Sequence, residues 1–125
     1  MPKTSKETAS RVEDMGVLVG HYEELGPYTI GFETFREDAD AAPLMKGLPG
    51  DRCQSPHWGY VVSGKVTFTF EDRQEVYEAG DAYYAEDGHT PAVTAGTELV
   101  EFSPTEDYNR TMEVVGRNME AMQNA

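Results

Sequence analysis

The sequence predicts an all-β domain, a sandwich or small barrel, followed by one amphipathic helix. Short segments rich in β-branched and aromatic residues recur through residues 17–102, and turn signals separate them at regular intervals. Near the end of the chain, apolar residues instead repeat every three or four positions, which is typical of a helix with one buried face. The 125 residues suffice for one domain with a hydrophobic core.

The first strands follow a polar N-terminal segment. Residues 1–15 are interpreted as a flexible arm, or a short lead-in helix, because they offer few apolar side chains. Residues 17–22 and 28–35 are predicted strands on either side of a turn at Gly26-Pro27. Residues 36–51 contain two prolines and two glycines and are predicted to be irregular.

The second half of the predicted barrel consists of short strands with Gly-containing turns between them. The turn signals include Ser63-Gly64, Ala79-Gly80-Asp81 and Ala95-Gly96. The last of these predicts a hairpin between residues 92–94 and 97–102. The predicted strands are 57–62, 66–70, 75–77, 82–84, 92–94 and 97–102.

The helix prediction includes its start. Ser103 is the expected N-cap, Pro104 the first helical residue, and Glu106 the acidic residue three positions after the cap. The sequence thus divides into an arm (1–15), a barrel (16–103) and a helix (104–125). The apolar stripe of this helix is interpreted as core packing or a dimer contact, with binding of a soft metal or a partner as the alternative, and it consists of Tyr108, Met112, Val115, Met119 and Met122.

Charge and cysteine content exclude several function classes. The chain has 10 basic and 23 acidic side chains, a net charge of -13, so binding to nucleic acid or to anionic membranes is not expected. No apolar run approaches the length of a membrane span. A single cysteine excludes an internal disulfide and favours a reducing, cytoplasmic location.

Two segments resemble the two sequence motifs of the cupin superfamily. The first extends from Cys53 to Val66 and contains Pro-His-Trp-Gly-Tyr-Val, and the second ends in Gly-His-Thr-Pro at Pro91. The resemblance covers about residues 28–103, with 15 residues between Gly64 and Gly80. It implies a double-stranded β-barrel, or jelly roll, similar to small single-domain bacterial cupins whose activity is undefined.

The usual cupin metal site of three histidines and one glutamate is absent as such. His57 occupies the motif's glutamate position, while Cys53 and Asp51 occupy the two histidine positions of the first motif. In the second motif Pro91 stands at the histidine position, and His89 lies two residues earlier. Because the small cupins that this chain resembles share the Cys, the following His and the later His, the resemblance implies a rearranged site.

Cys53, His57 and His89 are therefore the candidate metal ligands. A thiolate with two imidazoles suits Zn²⁺ best, and imidazoles with a carboxylate also suit iron, manganese or nickel. The other interpretation treats Cys53 as a small buried hydrophobe and the histidines as hydrogen-bonded core residues. Asp51 and Glu86 are secondary candidates, as further ligands or as a general base.

Alternation along a strand predicts which side chains share a face. Asp51, Cys53 and His57 would face the same side of one extended strand, so Trp58 and Tyr60 would face outward, toward another sheet or subunit. A nucleophile–base pair of Cys53 and His57 is a further interpretation. Four positions of extended strand would separate them by ~13 Å, so this pair requires a bend at Ser55-Pro56.

The sequence thus predicts a metal-binding cupin domain that holds a small organic molecule in its barrel and forms a homodimer. An oxygenase, isomerase or lyase reaction that depends on the metal is the enzymatic interpretation. The alternative is a non-catalytic cupin that binds or senses a small ligand without a functional metal. A third interpretation is a dimeric accessory module without a ligand pocket.

Overall fold

Two antiparallel sheets and one C-terminal helix form the chain in a computed structural model, which describes residues 2–124. The larger sheet has the strand order β1-β2-β3-β10-β5-β8 and the smaller one β4-β9-β6-β7. The predicted all-β fold with a C-terminal helix is confirmed. Its elements are β1 (Arg11–Asp14), β2 (Leu18–Leu25), β3 (Tyr28–Phe35), β4 (Ala39–Asp40), β5 (His57–Ser63), β6 (Lys65–Thr69), β7 (Gln74–Glu78), β8 (Ala82–Ala85), β9 (Thr90–Val93), β10 (Glu98–Pro104) and α1 (Thr105–Gln123).

The main hydrophobic core contains inward-facing residues of both sheets. Strand alternation directs every second side chain into this core. Val61 of β5 and Leu99 of β10, which are opposite each other on neighbouring strands of the larger sheet, are examples. The aromatic ring of Phe68 on β6 contacts the ring of Tyr83 on β8 and so joins the two sheets. The buried members of this core are Val61, Val66, Phe68, Phe70, Tyr83, Ala85, Val93 and Leu99.

The prediction of an arm over residues 1–15 is wrong for its last part. Arg11–Asp14 forms β1, which pairs antiparallel with β2 at the edge of the larger sheet. Three of its four residues are charged, a composition that suits an exposed edge strand and that made the segment resemble a loop.

The predicted hairpin between residues 92–94 and 97–102 is also wrong. β9 pairs with β4 and β6 in the smaller sheet, whereas β10 pairs with β3 and β5 in the larger one. The turn at Ala95-Gly96 therefore carries the chain from one sheet to the other. A turn signal is local, and the partner of each strand is decided by how the sheets pack.

Ser103 is not the helix cap that the sequence predicts. It remains in β10, opposite Thr29 of β3, and α1 begins at Thr105 without a side-chain cap. The backbone N–H of Thr105 instead donates a hydrogen bond to the carbonyl oxygen of Pro27, 2.9 Å away. Ser103 is thereby left facing the interior, where it is buried.

Helix α1 packs over the irregular segment that precedes β5. Val115 forms a buried cluster with Met45 and Cys53, and Met112 and Met119 pack against it. This confirms the packing interpretation of the apolar stripe for these three helix residues, whereas its last member, Met122, is 60% exposed. Within residues 2–124, no helix combines the length and the apolar character needed to cross a membrane.

Candidate metal centre

The three candidate ligands come together because the chain bends sharply before β5. The backbone N–H of Cys53 donates to the carbonyl oxygen of His89, and the N–H of Gly88 donates to the carbonyl oxygen of Cys53, each at 2.7 Å. Residues 54–56 have no regular structure and lead back to His57, the first residue of β5. The Sγ atom of Cys53 consequently lies 3.8 Å from Nε2 of His57.

The structure brings Cys53, His57 and His89 into one buried cluster. One potential ligand atom from each residue lies within 4.8 Å of the other two. His89 is completely buried, and its Nδ1 donates a hydrogen bond to the carbonyl oxygen of Glu86 at 2.7 Å. Its other ring nitrogen, Nε2, has no hydrogen-bond partner among the described residues. A buried nitrogen lone pair without a partner costs free energy, which marks this atom as one that a ligand can satisfy.

His57 is held by residues that precede the helix. Its Nδ1 forms a 2.7 Å hydrogen bond with Oγ of Ser103, so Nε2 faces the thiol of Cys53. The carboxylate of Glu101 approaches from the same strand as Ser103, with Oε1 3.9 Å from Nδ1. Partners of this kind fix the orientation of a histidine ring before it binds a metal.

A cavity of about 530 Å³ opens beside the cluster, between the larger sheet, the irregular segment and α1. Cys53, His57 and His89 contribute to its wall, together with Glu33 and Glu101. Its volume lies within the range of sites that hold small organic molecules. Most of the remaining wall is apolar, including Leu18, Phe35, Leu44, Met45, Met112, Val115 and Met119.

Sequence comparisons identify no relative of the chain. No family model matches it. No curated protein matches it either.

Solved structures, in contrast, resemble it over most of its length. An RmlC-like cupin from Shewanella frigidimarina matches with a TM-score of 0.54 and 20% identity, covering 81% of this chain and 88% of that one. The polyketide cyclase RemF from Streptomyces resistomycificus matches with a TM-score of 0.55 and 12% identity, covering 83% and 79%. The chain has the cupin fold.

A third solved structure resembles the chain but carries no stated activity. A protein of unknown function from Rhizobium leguminosarum matches with a TM-score of 0.58 and 16% identity, covering 82% of this chain and 95% of that one. Similarity at this level of identity establishes the shared fold only. The chemistry of this chain must therefore be argued from its own residues.

Burial determines the protonation state of the three candidate ligands. Burial lowers the pKa of His57 to about 4, and burial together with the neighbouring His57 lowers the pKa of His89 to about 4. Both rings are therefore neutral near pH 7, the form that binds metal ions. Burial raises the pKa of the Cys53 thiol to about 11, so the thiol is protonated near pH 7.

Two carboxyl groups in the cavity wall form a second polar group beside the cluster. Tyr22 Oη donates to Oε2 of Glu33 at 2.7 Å, and Tyr83 Oη donates to Oε2 of Glu101 at 2.6 Å. Burial raises the pKa of each carboxyl to about 7, and for Glu33 the charge of Glu101 acts in the same direction. Groups with such pKa values can exchange protons near neutral pH.

The structure does not bring Asp51 or Glu86 to the cluster. Asp51 is exposed in a 3₁₀ turn at a positive φ of 57°, and it accepts a hydrogen bond from the backbone of Gly47. The expectation that it shares a strand face with Cys53 is wrong because residues 51–56 form no strand. The side chain of Glu86 is exposed and pairs with Arg73, and only its backbone carbonyl contacts His89.

The sequence interpretation missed Glu33, Glu101 and Ser103. Glu101 lies two residues from the inward-facing Leu99, and Ser103 two residues further along the same strand. The same alternation would have placed both in the interior. A charged residue at an inward position of a strand is the signal that could have identified Glu101.

The prediction for β5 is confirmed. His57 is buried, whereas Trp58 and Tyr60 are exposed on the outer face of the larger sheet. Among the aromatic residues of the neighbouring strands, Tyr83 faces inward, and Tyr84 and Phe102 lie on the outer face beside Trp58.

Proposed function

We propose that this cupin binds a divalent metal ion through Cys53, His57 and His89 and holds a small organic molecule in the adjacent cavity. The observation that supports the proposal is the unpartnered Nε2 of His89, because this completely buried residue belongs to a cluster of three side chains that can ligate a metal ion. A nitrogen in this position gains a bond when an ion enters and remains unsatisfied when none does.

The donor set is suited to zinc. A tetrahedral zinc ion, with bonds of about 2.0 Å to nitrogen and 2.3 Å to sulfur, separates its ligand atoms by about 3.5 Å. The separations here are up to 4.8 Å, so the side chains need to close by about one ångström. One thiolate and two imidazoles leave a fourth position open, as in catalytic zinc sites.

The chain's own residues would supply proton transfer next to the ion. When bound, the ion would act as a Lewis acid toward an oxygen atom of the ligand. Glu101 can hold or accept a proton at Oε1, the oxygen nearer His57, because its other oxygen accepts from Tyr83. Ser103 keeps the ring of His57 oriented, since its hydroxyl contacts Nδ1. An oxygenase, isomerase or lyase reaction would use these same groups.

Metal content tests the proposal. Protein purified without chelator or affinity metal is incubated with Zn²⁺, Fe²⁺, Mn²⁺ or Ni²⁺, desalted and analysed by mass spectrometry of the elements. We expect about one equivalent of metal per chain, zinc being retained best. His57→Ala and His89→Ala should lose it.

His21→Ala is the matched control, since His21 lies on β2 outside the cluster and should retain the metal. Circular dichroism confirms that each variant is folded. Wild-type protein that retains none of the four ions would overturn the metal site and favour the alternative, a cupin that binds a small ligand without metal.

We also propose that the cupin forms a homodimer through the outer face of its larger sheet. Most outward side chains of β5, β8 and β10 form an uncharged patch, with Glu98 of β10 at its edge paired to Lys6. The patch consists of Trp58, Tyr60, Val62, Ala82, Tyr84, Val100 and Phe102. Exposed apolar patches of this kind mark interaction surfaces. In a chain with a net charge of -13, this patch lets two copies meet without burying carboxylates.

The cytoplasmic location that we propose for the chain rests on the single, unpaired thiol of Cys53.

A further inference from the structure

The cavity wall combines one connected polar region with a largely apolar surround. The polar region links His57 to Glu101 and contains the two carboxyl–tyrosine pairs, and it lies beside the ring of His89. Around it the wall is formed by methionine, leucine and other apolar side chains from four parts of the chain: Met15, Val17, Leu18, Phe35, Leu44, Met45, Met112, Val115 and Met119. Such a cavity is suited to a molecule with a polar group and an apolar body.

The cavity contains negative charge without a balancing cation. Its lining includes Glu33 and Glu101, with Asp38 and Asp40 further out, and none of the described residues that line it is a lysine or an arginine. The guanidinium of Arg11 lies over the ring of Tyr22, 5.2 Å from its centroid, and is not part of the lining. An anionic ligand would therefore face like charges in a poorly solvated space, which disfavours its binding.

The hydrogen-bonding capacity of the two carboxyl groups specifies the ligand further. In each of them Oε2 already accepts from a tyrosine, while Oε1 receives no hydrogen bond from another described residue. Two oxygen acceptors are thus available to a ligand at Glu33 and Glu101. A hydroxyl group has one donor and is satisfied by one of them, whereas a primary ammonium group has three donors, one more than these two acceptors, and must also be desolvated as a full charge in a largely apolar wall.

We propose that the ligand of this cavity is a predominantly apolar alcohol or phenol, and that carboxylates and phosphates of similar shape are rejected. This inference rests on the proposed function, because it concerns the molecule held beside the metal centre. The hydroxyl donates to Oε1 of Glu33 or Glu101, and the apolar body contacts the methionines of α1 and of the irregular segment. Glu33 determines the rejection of anions, since it contributes charge to the cavity and does not contact a proposed metal ligand.

Three probes that share one ring system test the proposal: 2-naphthol, 2-naphthoate and 2-naphthylmethylammonium, each titrated calorimetrically at pH 8, above the pKa of Glu33. We expect 2-naphthol to bind about tenfold or more tightly than the other two. Glu33→Gln should improve 2-naphthoate binding, so that its affinity falls below that of 2-naphthol by about threefold or less. Glu113→Gln, an exposed change on α1, is the matched control and should leave the ratio unchanged.

Titrations with chelator and with one equivalent of Zn²⁺ separate this proposal from the metal site. If the protein takes up no metal while 2-naphthol remains the preferred probe, the metal site fails and the ligand class stands. If metal binds but 2-naphthoate or the ammonium probe binds as tightly as 2-naphthol, the ligand class is overturned and the metal site stands. Absence of 2-naphthol binding at millimolar concentration, with and without zinc, also overturns it.

Discussion

The thiol of Cys53 lies 3.8 Å from Nε2 of His57, although the two residues are four positions apart in the chain. An extended strand would separate them by ~13 Å, so the contact exists only because residues 54–56 turn the chain back on itself. The turn is held by the two backbone hydrogen bonds of Cys53 to His89 and Gly88, which also position the second histidine. One local bend therefore assembles all three candidate ligands.

The protonation states predict how many protons the metal displaces. With a pKa of about 11 the thiol of Cys53 is protonated at pH 7, whereas His57 and His89, with pKa values of about 4, are already neutral. We expect about one proton to be released for each Zn²⁺ bound, and the affinity to rise about tenfold per pH unit between pH 6 and 8. Calorimetric titrations in buffers of different ionisation enthalpy measure this number.

Cys53→Ser isolates the source of that proton. The serine variant should bind zinc more weakly and release close to none, because a hydroxyl is not deprotonated as a thiol is. His21→Ala should still release about one proton. Wild-type binding without proton release would show that the thiol is not a ligand.

Buried Glu33 predicts a stability that depends on pH. Its pKa is about 7 in the folded chain against an ordinary 4.5, because burial and the nearby Glu101 disfavour the charged form. Its stabilising contribution is therefore complete below pH 4.5 and is lost as the pH rises through 7. Glu33→Gln removes this loss, so the variant should gain on the order of 2 kcal/mol over wild type at pH 8 and little at pH 4.5.

Urea unfolding in the presence of chelator, at pH 4.5 and pH 8, measures the difference. Glu113→Gln should match wild type at both values, since that side chain is exposed on α1. An equal effect of Glu33→Gln at the two pH values would contradict the assignment of a raised pKa to Glu33.

Strand alternation allowed the inward position of His57 to be predicted from sequence, because one face of β5 is buried and a period of two decides the side. The same reasoning failed for Asp51, where a 3₁₀ turn replaces the strand. The hydrogen bond between Ser103 and His57 depends on where β10 ends against the helix. No local pattern encodes that boundary, and the capping signal at Ser103 indicated a different role.

Two Gly→Ala substitutions should change stability in opposite directions. A Cβ atom at Gly59 would lie 2.4 Å from Cζ and 2.5 Å from Oη of Tyr83, the paired residue on β8, so Gly59→Ala must displace that ring and its hydrogen bond to Glu101. We expect a loss of about 2–3 kcal/mol. Gly116 lies in α1 with open space around it, and Gly116→Ala should gain about 0.5–1 kcal/mol. Urea unfolding of both variants measures the pair, and a Gly59→Ala loss below about 0.5 kcal/mol would contradict the packing of Tyr83.

The uncharged outer patch predicts which substitution separates a dimer. Trp58 is 42% exposed and packs against the rings of Tyr84 and Tyr28, with centroid distances of 5.1 and 6.1 Å. Trp58→Glu introduces a carboxylate at the centre of the proposed isologous contact. There it would face either the same carboxylate of the second chain or an apolar ring. Sedimentation velocity at micromolar concentration should therefore give a dimer for wild type and a monomer of 13.9 kDa for this variant.

Val76→Glu provides the comparison that locates the interface. Val76 is 49% exposed, which is close to the exposure of Trp58, but it belongs to β7 of the smaller sheet. It should leave the dimer intact, because it adds the same charge to the opposite side of the barrel. A monomeric wild-type chain would overturn the homodimer. Dissociation by Val76→Glu but not by Trp58→Glu would place the contact on the smaller sheet instead.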